Sequence, residues 1–370
     1  MNRLCSIASL SALAIANPAI AQEAEKPEYP SPTAIVDAAP AGEWVNIAPS
    51  DLLVMDLAAD SEGNARRVVI QLMPEPFSQG WIRNIRKLAA AHWWDGTSIN
   101  RVQDNYVVQW GDAGHDNPES GETEQKALPE GLETVPESEY VVATLPDYPG
   151  PISFDEATDR QIAFVTNAIA MARLHFGHLD IFGEDEDPDQ SFKMFGLARM
   201  ADRYSDINSF TRGWSVAGKR NDETFDTDFW PIHCYGAVGV GRNYSPDTGS
   251  GAELYTVIGH APRHLDRNIA LVGRVISGME HLSSLPRGSG DLGFYTSEES
   301  DERTPIRSIR VTSDLPAAEQ PRFEYLSTES ETFARYAEAR ANRRDPFFIV
   351  PAGGADVCNI PVPVRVTSAE

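Results

Sequence analysis

Short strand-forming runs separated by turn residues are the feature that most limits how this chain can fold. The runs are rich in valine, isoleucine, leucine and aromatic residues, which favour strands. The 370 residues also include 27 glycines and 26 prolines, which favour many turns and long loops. We therefore expect a mainly β globular fold rather than a helical bundle. The runs predicted to be extended are 51–57, 67–72, 99–110, 235–241, 253–259 and 269–275.

Four stretches carry helical signals. Within 78–91, the apolar residues Ile82, Ile85, Leu88 and Ala89 fall on one helical face. The spacings Ser153-x-x-Glu156 and Thr328-x-x-Glu331 resemble capping boxes, so we expect a helix after each, the second ending near residue 342. Residues 279–285 predict a further short helix.

The N-terminal 21 residues have the layout of a secretory signal peptide. Arg3 precedes an apolar run, and Ala19-Ile20-Ala21 is a small-x-small cleavage site. We expect residues 1–21 to be removed, 22–43 to be an arm or linker, and the mature protein to be exported to the bacterial periplasm. No later run approaches the length that spans a membrane, so no membrane span is expected.

Cleavage at that site would leave only two cysteines, Cys234 and Cys358, because Cys5 lies in the signal peptide. Two cysteines in an oxidising compartment often pair. The sequence does not show how far apart the two residues lie in the folded chain, so a disulfide and two free thiols both remain possible.

Charge and motif spacing argue against several function classes. The 55 acidic residues outnumber 31 lysines and arginines, and a net charge of −24 repels a phosphate backbone, so nucleic acid is not an expected partner. The histidine pairs at 175 and 178 and at 260 and 264 do not form a His-Glu-x-x-His motif. Ser250 has His260 and Asp266 downstream as candidate partners, but it is not in a Gly-x-Ser-x-Gly turn, which makes a serine hydrolase a distant alternative. We expect neither a metal site nor a cofactor.

The segment 100–112 places a cationic side chain among strand-forming residues. Arg101 precedes Gln109 by eight positions, and even spacing puts both side chains on one face of a strand unless the polar residues 103–105 break the register. An arginine on an apolar face is costly unless it is paired or used in a site. Spacing alone therefore leaves two interpretations, a structural ion pair and a functional arginine.

Two ordered blocks of sequence resemble the cyclophilins. The first contains Asn100-Arg101 and Tyr106-Val107-x-Gln109-x-Gly111-Asp112, which is similar to the family's Phe-His-Arg-(x)4-Phe-Met-x-Gln-Gly-Gly-Asp. The second contains, in the family's order, Phe229-x-x-x-His233, residues 236–241, Gly251-Ala252-Glu253-Leu254-Tyr255, Leu265-Asp266 and residues 272–279.

This resemblance implies a fold and an activity. The fold is an eight-stranded closed antiparallel barrel with capping helices, spanning 44–315. A partly helical insertion would occupy 113–228, and 316–370 would be a C-terminal extension with one helix. The implied activity is cofactor-free peptidyl-prolyl cis-trans isomerisation of proline-containing polypeptides.

The resemblance also implies the site. Arg101 would donate to the prolyl nitrogen, and Gln109 would orient both the peptide and the arginine. The positions implied to bind substrate are Tyr106, Val107, Glu253, Tyr255, His264 and Leu265. Several of these differ from the family pattern, with tyrosine for phenylalanine at 106 and 255, valine for methionine at 107, glutamate for glutamine at 253 and histidine for tryptophan at 264. Such changes support a second hypothesis, a peptide-binding chaperone or scaffold with weak or no catalysis.

Overall fold

The computed structural model describes residues 29–143, 145, 204–220 and 226–367. The predicted signal peptide, the helix expected after Ser153 and the histidine pair at 175 and 178 lie outside this part of the chain. Within it, no helix is both long and apolar enough to cross a membrane. The strands are β1 (Trp44–Asn46), β2 (Leu52–Leu57), β3 (Arg66–Leu72), β4 (Ser98–Val102), β5 (Val107–Gly111), β6 (Ile207–Thr211), β7 (Trp214–Arg220), β8 (Thr227–Pro231), β9 (Ala237–Val240), β10 (Leu254–Val257), β11 (Leu271–Ser277), β12 (Ile306–Val311), β13 (Phe323–Leu326) and β14 (Val364–Val366). The helices are α1 (Pro32–Asp37), α2 (Gln79–Ala90), α3 (Ala113–Asp116), α4 (Glu280–Ser283) and α5 (Glu331–Ala341).

Eight antiparallel strands form a nearly closed barrel, in the order β12-β2-β3-β11-β9-β10-β5-β4. The two edges of this sheet approach each other, because Ile99 N donates to Thr304 O at 2.9 Å and Ile306 N donates to Thr97 O at 2.8 Å. These hydrogen bonds satisfy backbone groups that the edges of an open sheet would leave unpaired. The fold class predicted from the sequence is therefore confirmed.

Helix α2 packs on the barrel core through the face that its spacing predicts. Ile82, Ile85 and Leu88 are almost completely buried and belong to the same hydrophobic cluster as the strand residues. The helix expected at 279–285 is shorter, since α4 has only one turn. Leu285 precedes Pro286, and the residue before a proline is disfavoured in a helix.

A second hydrophobic core lies beside the barrel and joins distant parts of the sequence. Strands β6 and β7 of the predicted insertion, together with β8, which crosses its C-terminal end, form one three-stranded sheet, and β1, β13 and β14 form another. Residues of α1 and α5 pack in the same cluster as these sheets. Thus β1 pairs with the C-terminal extension, although it was predicted to lie in the barrel unit 44–315.

The C-terminal extension contains strands β13 and β14 as well as the predicted helix. Helix α5 begins after Ser330, whose hydroxyl accepts a hydrogen bond from Phe333 N at 3.0 Å. The cap is therefore Ser330 and not Thr328. Thr328 is buried and takes part in contacts with the β6–β7 turn, where its hydroxyl accepts from Gly213 N at 3.1 Å.

A disulfide between Cys234 and Cys358 ties this extension to the residues just before β9. The two cysteines are 124 positions apart.

Since a cross-link across a long loop restricts the unfolded chain, we expect Cys358→Ser to lower the free energy of unfolding by about 2 to 4 kcal/mol. Urea denaturation of the oxidised protein measures this. Wild-type protein in reductant should lose the same amount, and equal stability of all three samples would contradict the prediction.

Candidate functional site

The segment 99–110 is a hairpin and not one continuous strand. Its polar centre forms the turn, where Gln103 N donates to Val107 O at 2.9 Å. This turn places Arg101 on β4 directly opposite Gln109 on β5. The two side chains are therefore neighbours because their strands pair, and not because they share one face of a single strand.

Tyr255 extends this pair into a row across three neighbouring strands. On β10 it lies opposite Gln109 on one side and opposite Gly239 of β9 on the other. A side chain at 239 would collide with the Tyr255 ring. Glycine at this position therefore lets the ring lie across β9.

The Arg101 guanidinium is held by neutral acceptors and aromatic rings. Its Nη1 donates to Gln109 Oε1 at 3.2 Å, its Nε donates to the Leu292 carbonyl at 2.7 Å, and its Nη2 donates to Gln103 Oε1. The flanking rings are Tyr106, with its centroid 5.6 Å from the guanidinium carbon, and Phe294, at 5.2 Å.

Arg101 has no carboxylate within ion-pair distance among the described residues. Its three hydrogen bonds use three of five N–H groups, which leaves two for a ligand. Burial lowers the pKa of Arg101, but a guanidinium stays charged at neutral pH. A half-buried cation without a carboxylate partner fits a functional arginine better than a structural ion pair.

These side chains line an open groove of about 840 Å³, within the range of about 300 to 1,000 Å³ usual for ligand sites. Its apolar lining includes Val107, Leu265 and Ile269, which could accept a small apolar ring. Seven of the eight predicted site residues line this groove. They are Arg101, Tyr106, Val107, Gln109, Glu253, Tyr255 and Leu265. His264 is instead exposed and stacks on Tyr106, with 6.3 Å between ring centroids.

A buried polar chain holds the Tyr255 hydroxyl. This hydroxyl lies 2.9 Å from His233 Nε2, and His233 Nδ1 lies 2.8 Å from Asp266 Oδ1. Arg263 Nε donates to the other oxygen of Asp266 at 2.7 Å. The tyrosine hydroxyl thus has the partner that a buried phenol requires. Asp266 pairs with His233 and not with His260, so the serine-hydrolase arrangement does not form.

A histidine and two carboxyl groups lie at the Gln109 end of the groove. His115 Nδ1 lies 2.8 Å from Glu253 Oε1, and this hydrogen bond raises the pKa of His115 to about 9. Burial, followed by the charge of Glu253, raises the pKa of Asp116 to about 7. His115 and Asp116 were not predicted as site residues, because the chain from 113 onward was assigned to an insertion.

The sequence matches one protein-family model over most of its length. The model describes cyclophilin-type peptidyl-prolyl cis-trans isomerases and matches residues 55–184 and 197–312. A search of curated proteins found no significant match. Among solved structures, the chain is similar to the cyclophilin AquaCyp293 from Hirschia baltica, with a TM-score of 0.54 and 18% identity over 88% of this chain and 94% of that chain. A Cryptosporidium parvum cyclophilin-type isomerase, crystallised in the presence of the dipeptide Ala-Pro, matches with a TM-score of 0.31 and 10% identity over 70% of this chain and 98% of that chain.

Proposed function

Because this chain belongs to the family of cyclophilin-type peptidyl-prolyl cis-trans isomerases, we propose that it accelerates rotation about X-Pro peptide bonds. The observation that carries the proposal is the Arg101 guanidinium. The guanidinium is half-buried in the groove and donates a hydrogen bond to Gln109, and no carboxylate of the described residues lies within ion-pair distance of it. Its substrates would be proline-containing polypeptides.

The reaction needs a donor and a dry pocket, and the groove contains residues suited to both. Resonance of the nitrogen lone pair gives the peptide bond a rotation barrier of about 18 to 20 kcal/mol. A donor aimed at the prolyl nitrogen withdraws that lone pair from resonance and lowers the barrier. Arg101 has unused N–H groups for this role, and Gln109 would orient the arginine and the peptide backbone. Val107, Leu265 and the Tyr255 ring would hold the proline and exclude water, which strengthens the electrostatic effect.

We further propose that the protein works after export, in the periplasm of a bacterium. Two observations support this location. The N-terminal 21 residues have a signal-peptide layout, and Cys234 and Cys358 form a disulfide, which persists in oxidising compartments. N-terminal sequencing of protein from the periplasmic fraction, with Gln22 as the expected first residue, tests the proposal.

A protease-coupled assay with a short peptide that contains an Ala-Pro bond tests the catalytic proposal. Uncatalysed exchange takes tens of seconds, on the order of 10 to 100 s, so the slow phase should accelerate in proportion to protein concentration. Binding of the peptide without acceleration would favour the chaperone or scaffold hypothesis. The absence of both binding and acceleration would reject both functions.

A further inference from the structure

A buried carboxyl group lies directly behind Gln109, on the one-turn helix α3 that follows β5. Asp116 N donates to Asp112 O at 2.8 Å, and the next residue, Asn117, donates from its side-chain NH2 group to Tyr295 O at 2.7 Å. The chain thus turns back as soon as β5 ends. This turn brings the Asp116 side chain to the Gln109 amide.

The two carboxyl oxygens of Asp116 have different surroundings. Oδ1 accepts a hydrogen bond from Gln109 Nε2, whereas Oδ2 is buried without a hydrogen-bond partner in the described part of the chain. Three charged groups face this carboxyl from the elements around it. They are Glu253 before β10, His115 on α3 and Arg101 on β4.

The ionisation state of Asp116 controls which way the Gln109 amide can point. An ionised carboxylate only accepts hydrogen bonds, so it selects the NH2 side of the amide. The amide oxygen then points to Arg101, whose Nη1 donates to it at 3.2 Å. A protonated Asp116 could instead donate to the amide oxygen, which would let the amide turn over and direct its NH2 group at the guanidinium. Arg101 would then face a donor in place of its acceptor.

We propose that Asp116 is a positioning residue for prolyl isomerisation, which orients the Gln109 amide and, through it, the Arg101 guanidinium. This inference rests on the proposed function, in which Arg101 meets the prolyl nitrogen. Ionised Asp116 holds the active arrangement and protonated Asp116 releases it. The activity therefore responds to pH through a group that does not touch the substrate.

The pH at which the change occurs follows from the surroundings of the carboxyl group. Burial and then the Glu253 charge raise the pKa of Asp116 to about 7, so activity is present above this pH and falls below it. Stability changes in the opposite direction. Because the folded-state pKa of Asp116 lies above its ordinary value of 3.8, protonation favours the folded state, and this contribution to stability grows as pH falls from 7 towards 4. A loss of activity caused by protonation of Asp116 therefore comes with higher stability, which distinguishes it from a loss of activity caused by unfolding.

The direct test is the pH profile of kcat/KM for the wild-type protein, Asp116→Asn and Glu124→Gln, a variant of an exposed acid from the same loop. Wild type and Glu124→Gln should lose kcat/KM in a step centred near pH 7 and should level off below it near the value of Asp116→Asn. Asp116→Asn cannot ionise, so its profile should lack this step. At about pH 8 its kcat should be about 2- to 10-fold lower with KM little changed, because an asparagine amide can hold Gln109 in either orientation. A wild-type step retained in Asp116→Asn would overturn the inference.

A second readout does not depend on catalysis. The NMR signals of the Gln109 side-chain amide should titrate in the wild-type protein with a midpoint near the Asp116 pKa, and they should not do so in Asp116→Asn. If the wild-type protein accelerates no prolyl isomerisation at any pH, the proposed function fails and the amide titration still tests the coupling. Amide signals that stay constant between about pH 5 and about pH 9 would overturn the coupling even in an active isomerase.

Discussion

Replacement of Arg101 by alanine is expected to lower kcat/KM for prolyl isomerisation by about 100- to 1,000-fold, the usual cost of removing one preorganised donor from a site. The guanidinium is a permanently charged donor that lies beside Gln109 in the groove. Its loss leaves the apolar lining and the row of Gln109 and Tyr255 in place. The affinity for the peptide should therefore fall by a smaller factor than kcat does. The protease-coupled assay together with a peptide titration separates the two effects.

Two further variants sharpen this test. Arg101→Lys should remain well below wild type, because one ammonium cannot bond Gln109, Gln103 and the Leu292 carbonyl as the planar guanidinium does. Arg307→Ala removes an exposed arginine from β12 and should leave the rate unchanged. An Arg101→Ala protein that retains wild-type kcat/KM would remove the arginine from the mechanism.

Replacement of Asp266 by alanine is expected to lower the free energy of unfolding by about 3 to 5 kcal/mol, because it breaks a buried ion pair by removing one partner. Asp266 is the carboxylate that His233 and Arg263 share, and the three side chains are at most 5% exposed. Burial alone would raise the pKa of Asp266, but the His233 hydrogen bond and the Arg263 charge outweigh burial and lower it. Asp266 therefore stabilises the fold at neutral pH, and this contribution is lost as pH falls through its lowered pKa. Urea denaturation at neutral pH measures the effect.

A graded series locates that loss in the polar chain. Tyr255→Phe removes only the hydroxyl bonded to His233, so we expect a smaller loss of about 1 to 3 kcal/mol. Asp301→Ala changes an exposed acid and should stay within about 0.5 kcal/mol of wild type. Since Tyr255 lines the groove, Asp266→Ala should also weaken peptide binding more than Asp301→Ala does. Equal stability of Asp266→Ala and Asp301→Ala would show that the buried chain does not stabilise the fold.

The barrel was predictable because its signals are local. The residues of β2, β3 and β5 form short runs rich in strand-forming residues, and the apolar face of α2 follows the helical period of 3.6 positions. Both signals depend only on neighbours along the chain. The family pattern around Arg101 and Gln109 also survives as a local motif. The spacing predicted that Arg101 and Gln109 are neighbours, but for the wrong reason. The polar residues between them form a hairpin turn instead of continuing a strand.

The residues that support the site were much harder to predict. Asp116 reaches Gln109 only because a one-turn helix folds back after β5, and a single acid in a polar loop has no distinctive spacing. His233 belongs to a segment that resembles the family, but its bond to the Tyr255 hydroxyl depends on a cross-strand contact beside Gly239.

By itself, the sequence determined the mainly β fold class, the runs that form every barrel strand except β12, and the motif that contains Arg101 and Gln109. The tertiary structure decided the rest: the carboxyl group behind Gln109, the polar chain behind Tyr255, the pairing of Cys234 with Cys358, and the second core that gathers α1, the β6–β8 sheet and the C-terminal extension. The physical reason is the range of the interactions. Strand and helix patterns arise between close neighbours, whereas these contacts join residues that only the folded chain brings together.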